Sequence, residues 1–119
     1  MKKFNHVIVR RPCKAMVEGI TSGLYPGKPD YALALKEHDS YIEALKQCDV
    51  DVTVLEADER YPDSCFVEDP ALITGKCAII TNPGAASRNG EKNEIISAIR
   101  KFFDDDHIEY IQDPGTLEG

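Results

Sequence analysis

The sequence YPDSCFVEDP, residues 61–70, is the stretch around which the rest of the chain is organised. It holds three carboxylates within seven positions, on Asp63, Glu68 and Asp69. In an extended segment Glu68 would share one face with Phe66, and Asp69 would share the other face with Val67. An unpaired buried charge is very costly, and a planar guanidinium is the cation that best fits paired carboxylates. The stretch therefore predicts a pocket for a guanidinium compound, with an acidic turn in an acidic protein as the alternative interpretation.

Composition and charge limit the class of protein. The chain has 119 residues, which fits one domain of modest size, and its hydrophobic content of 42% allows a packed core. The formal net charge of −7 argues against nucleic acid or an anionic membrane surface as a partner. This charge fits a cationic ligand, although acidic solubility alone explains it equally well. We therefore expect a small-molecule partner, no nucleic acid and no membrane.

Cysteine and histidine spacing gives no sign of a metal site. The four cysteines form no CxxC pair and do not cluster with the three histidines, so we expect no metal and no cofactor. The first residues lack a long apolar segment, and no run approaches transmembrane length. A cytoplasmic location with reduced thiols is therefore expected.

Apolar periodicity predicts an alternation of strands and helices. Apolar runs rich in β-branched residues predict strands at 6–10, 52–55, 77–81 and 108–111. Asp30 can cap a helix that extends to about residue 48, and a second helix is predicted from Glu91 to about residue 103. The segments 13–27 and 82–90 contain repeated glycine and proline and are predicted as loops. One apolar stripe of the first helix has i, i+3, i+4 spacing and consists of Tyr31, Ala34, Leu35, His38, Ile42 and Leu45.

The order of elements repeats along the chain. The sequence VIV at 7–9 matches AII at 78–80, at a period of about seventy residues, and the helix-to-strand passage 42–55 likewise matches 96–111. We therefore predict a single segment, 1–119, with one repeat unit at about 5–75 and an incomplete second unit at about 76–119. Glu118 falls where the first unit has its acidic stretch, as expected of a cut chain. Such a chain would leave unpaired faces, so we expect self-association or association with a missing carboxy-terminal part.

Four ordered motifs carry a resemblance to a known family. They are GKPDY at 27–31, DSxFVED at 63–69, PGAxSRxGE at 83–91 and PGTLEG at 114–119. Together they resemble the dimethylarginine dimethylaminohydrolases of the guanidino-modifying, or pentein, superfamily. The match runs from about Val7 to the last residue.

The resemblance implies both a fold and an activity. The fold would be a five-bladed α/β propeller of ββαβ repeats, of which this chain holds fewer than two. The activity would be hydrolysis of N-ω-methylated arginine to citrulline and an alkylamine, by covalent thiol chemistry without a metal.

Residue roles follow from the same resemblance. Arg88 is similar to the arginine that pairs with the substrate carboxylate, and Leu24 to the flap leucine. Glu118 resembles the carboxylate that orients the catalytic histidine. The residues that resemble the guanidinium-holding carboxylates are Asp63, Glu68 and Asp69.

The resemblance also implies that essential residues lie elsewhere. The family's histidine and nucleophilic cysteine belong to later repeats, so the 119 residues alone are predicted to be inactive. Cys65 is a poor substitute, because carboxylates close to a thiol disfavour the reactive thiolate.

Two other functions stay open on the sequence. One is a non-catalytic arginine-binding or assembly module, and the other is a relative of arginine deiminase or amidinotransferase. Arg88 itself has two alternative interpretations: an anion site at a helix start, or a surface arginine near Glu91.

Overall fold

The computed structural model describes residues 4–21, 23 and 27–118. The chain divides between Cys65 and Phe66 into two compact units. Each unit contains β-strands connected through a helix, which confirms the predicted α/β class. In the part of the chain that the structure describes, no helix is long and apolar enough to cross a membrane.

A strand–helix–strand motif forms the first unit. Strands β1 (His6–Arg10) and β2 (Asp51–Leu55) are parallel, with Val9 opposite Val54, and helix α1 (Tyr31–Gln47) connects them. Parallel neighbours need a crossover connection, which α1 supplies. Both predicted strands are confirmed, and β2 begins one residue earlier than expected.

Helix α1 has the predicted start and the predicted buried face. The Asp30 side chain accepts a 3.0 Å hydrogen bond from the backbone N–H of Leu33, as an N-cap does. Ile42 is buried, and the other residues of the predicted stripe are all partly buried. The helix ends before Asp49, which adopts a left-handed conformation with a φ of 58°.

The stability of the first unit is expected to fall at mildly acidic pH because of His38. Its Nδ1 is buried without a hydrogen-bond partner among the described residues. Burial, and then the nearby Arg11, lower the pKa of His38 below its ordinary value of 6.5. The unfolded chain therefore binds a proton at His38 more readily than the folded chain. The contribution of neutral His38 to stability is fully present above pH 6.5 and is lost as the pH falls through the lower pKa of the folded state.

Urea unfolding of the chain at pH 7 and pH 5 measures this effect. His38→Leu should reduce the loss of unfolding free energy between the two values, because it removes the titrating group. The matched control His107→Gln changes an exposed histidine and should leave the loss unchanged. An equal loss in wild type and His38→Leu would assign the pH dependence to other groups.

The predicted loop 13–27 contains a short 3₁₀ helix, so that prediction is wrong for Lys14–Glu18. The backbone N–H groups of Lys14 and Ala15 donate to the two carboxylate oxygens of Glu59, at 2.9 and 3.0 Å. A distant carboxylate thus satisfies the free donors of this helix start. The local sequence gives no signal of such a partner.

The described part of the second unit contains three strands, a short helix α2 (Ala86–Asn89), a longer helix and a short 3₁₀ helix at Asp105–His107. Strand β3 (Ala71–Ile73) pairs antiparallel with β4 (Ala78–Ile80), and β4 pairs parallel with β5 (Ile108–Tyr110). The crossover from β4 to β5 contains helix α3 (Glu91–Ile99), so the order is ββαβ. The core of this unit lies between α3 and β4, where Ile80 is 2% exposed.

Two predictions for the segment around α3 are wrong. The predicted loop 82–90 contains a short helix, α2 (Ala86–Asn89), and Gly90 continues in a helical conformation into α3. A single helical turn is too short to show apolar periodicity, whereas the glycine and proline residues of this segment are typical of a loop. Helix α3 also ends at Ile99 and not near residue 103, because the Phe102 N–H donates to the Ile99 carbonyl and closes a tighter turn.

Candidate functional site

Two consecutive turns form the acidic stretch, so the predicted extended segment is wrong. The Ser64 N–H donates to the Tyr61 carbonyl at 3.0 Å, and the Asp69 N–H donates to the Phe66 carbonyl at 3.3 Å. Pro62 lies at the second position of the first turn, where its fixed φ is favoured. Because the backbone folds back on itself, the side chains do not alternate between two faces.

Asp63 is held by the backbone that follows the 3₁₀ helix of the first unit. Its Oδ2 accepts a 3.0 Å hydrogen bond from the N–H of Ile20. A Cβ at Gly19 would collide with Oδ1 of Asp63, so only glycine allows this close approach. The first unit therefore fixes the orientation of the Asp63 carboxylate.

The carboxylate of Asp69 binds a guanidinium that the chain itself supplies. Nη1 of Arg88 donates to Oδ2 of Asp69 at 2.5 Å. The Asp69 carbonyl accepts a 2.6 Å hydrogen bond from the hydroxyl of Thr81, which is buried at the end of β4. The second turn is thus tied both to the sheet and to α2.

Glu91 binds the opposite edge of the same guanidinium. Nε and Nη2 of Arg88 donate to its two carboxylate oxygens, at 2.6 and 3.0 Å. The i, i+3 spacing across the α2–α3 junction places the two side chains on one face. Their side chains are only 14% and 4% exposed, respectively. We call this arrangement the Asp69–Arg88–Glu91 triad.

The triad keeps Arg88 charged in a partly buried position. Burial acts to lower the pKa of Arg88, but the hydrogen bonds from its guanidinium to Glu91 and Asp69 outweigh this and raise the pKa above its ordinary value. Two carboxylates face one cation, so the triad as a whole is negative. This charge favours a second cation beside it.

The other predicted site residues lie outside the triad. Glu68 is exposed in the second turn, and Glu118 is exposed after β5. Asp63 belongs to the first unit. Leu24 lies outside the described residues. Of the six predicted site residues, the structure therefore brings Asp69 and Arg88 into direct contact.

Asn82 is a buried residue that the sequence did not reveal, and it organises the approach to Glu118. Its Nδ2 donates to Oδ1 of Asp113 at 3.0 Å, and its Oδ1 accepts from Nζ of Lys92 at 2.8 Å. Its carbonyl accepts a 3.0 Å hydrogen bond from the N–H of Leu117. These contacts fix the turn that leads directly into Glu118.

A groove of about 290 Å³ lies beside α3 in the second unit. Its polar lining includes Asn82, Lys92, Asn93, Gln112 and Asp113. None of the predicted site residues within the described ranges lines it, and no residue of the triad does, so the groove is separate from the triad.

The sequence placed Glu91 near Arg88 but did not predict their bidentate contact, and it missed the roles of Asn82 and Gly19. For Glu91 a signal existed, because an acid three positions after an arginine predicts an ion pair if the segment is helical. For Asn82 and Gly19 no local signal existed, because their partners are distant in the sequence.

Comparison with known proteins identifies the family of this chain. The sequence model described as eukaryotic N,N dimethylarginine dimethylhydrolase matches residues 28–118. The N(G),N(G)-dimethylarginine dimethylaminohydrolase of Pseudomonas aeruginosa is 53% identical over 115 residues, which cover 97% of this chain and 44% of the relative. The enzyme of the same name from Streptomyces coelicolor is 34% identical over 112 residues, with 94% and 43% covered. The chain therefore spans less than half the length of these curated relatives.

Solved structures agree with the sequence comparison. A dimethylarginine dimethylaminohydrolase variant, present as an adduct with S-methyl-L-thiocitrulline, has a TM-score of 0.93 at 52% identity, covering 98% of this chain and 45% of that one. The Pseudomonas aeruginosa enzyme, as a cysteine-to-serine variant complexed with citrulline, has a TM-score of 0.93 at 53% identity, with 97% and 44% covered. The amino-terminal domain of a cyanobacterial arginine dihydrolase has a TM-score of 0.80 at 14% identity, covering 98% and 43%, and shares the fold alone. By its motifs, its sequence match and its structure, the chain belongs to the N,N-dimethylarginine dimethylhydrolase family.

Proposed function

We propose that this chain is the amino-terminal, substrate-binding part of a cysteine hydrolase that converts N-ω-methylated arginines to citrulline and an alkylamine. The family match and the 53% identity to a dimethylarginine dimethylaminohydrolase support this proposal. The citrulline complex of that relative supports a ligand of this size and chemistry. The complete protein, called the full-length protein below, would supply the nucleophilic cysteine and the histidine.

The contact between Asp69 and Arg88 is the observation that carries the proposal. It brings the acidic stretch to the arginine that resembles the carboxylate-binding residue of the family. The Asp69 carboxylate binds the planar guanidinium of Arg88, which supports the proposal that it can also accept a guanidinium from a substrate. Both ends of an arginine-like substrate would therefore find partners of opposite charge close together.

Each proposed binding residue would have one task. The carboxylates of Asp63, Glu68 and Asp69 would hold the substrate guanidinium and keep its positive charge at the reacting carbon. Arg88 would bind the substrate carboxylate, in exchange for the 3.4 Å hydrogen bond that its Nη2 donates to the Phe66 carbonyl. Leu24 would act as the flap, and Glu118 would orient the histidine.

The proposed reaction divides into two steps. A thiolate of the full-length protein attacks the guanidinium carbon, and the methylated amine leaves with a proton from the histidine. Water then attacks the same carbon and releases citrulline, which returns the thiolate. The isolated 119 residues would bind one end of the substrate but would not open it.

The proposed architecture is a partial pentein propeller. The shared strand–helix–strand order, β1–α1–β2 in one half and β4–α3–β5 in the other, supports the proposed repeat units at about 5–75 and 76–119. Exposed apolar residues on the outer strands, such as Leu72 at 48% and Tyr110 at 45%, support self-association or association with the carboxy-terminal part. A cytoplasmic location stays a prediction.

Product analysis of the full-length protein tests this function. With N-methylarginine as substrate, we expect citrulline and methylamine in equal amounts, and no dependence on added metal. Release of ammonia from arginine, without methylamine from N-methylarginine, would assign the protein to the deiminases instead. Micromolar binding of methylarginines by the 119 residues alone, with an inactive full-length protein, would identify a binding module.

A further inference from the structure

The buried carboxylate of Glu91 does more than interact with the dipole at the start of α3. It accepts two hydrogen bonds from one edge of the Arg88 guanidinium, through Nε and Nη2. A bidentate contact of this kind fixes the plane of the guanidinium as well as its position. At 4% side-chain exposure, the Glu91 carboxylate is shielded from bulk solvent, which strengthens the contact electrostatically.

Fixing the guanidinium plane also determines where its remaining edge points. Nη1 lies away from Glu91 and donates to Oδ2 of Asp69 at 2.5 Å. Because the guanidinium is rigid, a rotation at the Glu91 edge would move Nη1 and release the Asp69 carboxylate. Glu91 and Asp69 are therefore coupled through Arg88, although 22 positions separate them in the sequence.

We propose that Glu91 is a positioning residue that orients the Asp69 carboxylate for a guanidinium substrate, acting through Arg88. The inference rests on the proposed function and extends it to a residue that does not contact the substrate. A positioning residue of this kind contributes equally to the ground state and the transition state. Its loss should therefore raise KM and leave kcat nearly unchanged.

The test is Glu91→Gln in the full-length protein, which keeps the shape of the side chain and removes its charge. We expect KM for N-methylarginine to rise about tenfold, the effect of one charge-assisted hydrogen bond, with kcat within about twofold of wild type. Methylguanidine, used as a competitive probe without a carboxylate, should lose about the same factor in affinity, because the effect acts at the guanidinium end. Nitrogen-15 NMR should show the Nε–H of Arg88 exchanging with water faster in the variant.

Two control variants separate positioning from general effects. Glu94→Gln removes a carboxylate from the same first turn of α3 and so changes the helix-dipole interaction equally. Ile99→Val weakens the core against the same helix, where Ile99 is buried, without changing any charge. Both controls should keep KM for N-methylarginine within about twofold of wild type.

The outcomes distinguish this inference from the proposed function. A wild-type protein that neither binds nor hydrolyses N-methylarginine would overturn both. An active wild type whose KM is unchanged by Glu91→Gln would overturn the positioning role alone. The positioning role would also be overturned if Glu91→Gln raised KM for N-methylarginine but left the affinity for methylguanidine unchanged. Glu91 would then act only at the substrate carboxylate.

Discussion

Replacing Asp69 with asparagine in the full-length protein is expected to lower kcat/KM for N-methylarginine by roughly two to three orders of magnitude. The variant loses a charged acceptor for the substrate guanidinium. The neutral amide also weakens the contact that holds Nη1 of Arg88, so two binding contacts weaken together. Steady-state formation of citrulline, with product quantified directly, measures the change.

The asparagine variant should keep its backbone. The carbonyl of residue 69 still accepts the 2.6 Å hydrogen bond from Thr81, and asparagine is well tolerated in turns. The matched control is Glu109→Gln, which removes an exposed carboxylate from β5 in the same unit. If Asp69→Asn retained activity within about threefold of this control, Asp69 would not be a substrate-binding residue.

Replacing Arg88 with methionine is expected to reduce the free energy of unfolding by about 3 kcal/mol, the lower end of the range for breaking a buried ion pair. Methionine keeps much of the side-chain volume, so the loss comes from charge. It leaves the carboxylate of Glu91 buried without its cation, beside that of Asp69. Urea unfolding at pH 7, followed by circular dichroism, measures this difference.

A double-mutant cycle identifies the cause of that loss. If Glu91 is the stranded charge, the double variant Arg88→Met/Glu91→Gln should recover at least about 1 kcal/mol relative to the sum of the single changes. Additive losses would mean that the two side chains do not interact in solution. The surface pair Lys46–Glu43, which is exposed on α1, provides the comparison and should show a coupling of at most about 0.5 kcal/mol.

The regular elements could be predicted because their signals are local. The stripe of α1 occupies the inner face of that helix, and Asp30 caps it as expected, since both follow from spacing along a few turns. The strands β1, β2, β4 and β5 all coincide with short apolar runs. Element boundaries were less certain, as the early end of α3 at Ile99 demonstrates.

The acidic stretch illustrates where a local pattern misleads. Its alternation of apolar and acidic residues fits an extended segment, but the Tyr61–Pro62 pair is also a turn signal, and the turn is what forms. The prediction that these carboxylates bind a cation depends less on the backbone conformation. A carboxylate in a partly buried position needs a cation in either conformation.

The sequence by itself determined the α/β class, the helix faces, the acidic residues and, through its ordered motifs, the family. Only the tertiary structure decided which charges meet. Arg88 lies between Asp69 and Glu91 because α2 turns it toward both, and Asp63 is fixed because Gly19 leaves room for it. Periodicity along the chain determines which residues face inward. The pairing of individual side chains depends on how separate segments approach one another in three dimensions.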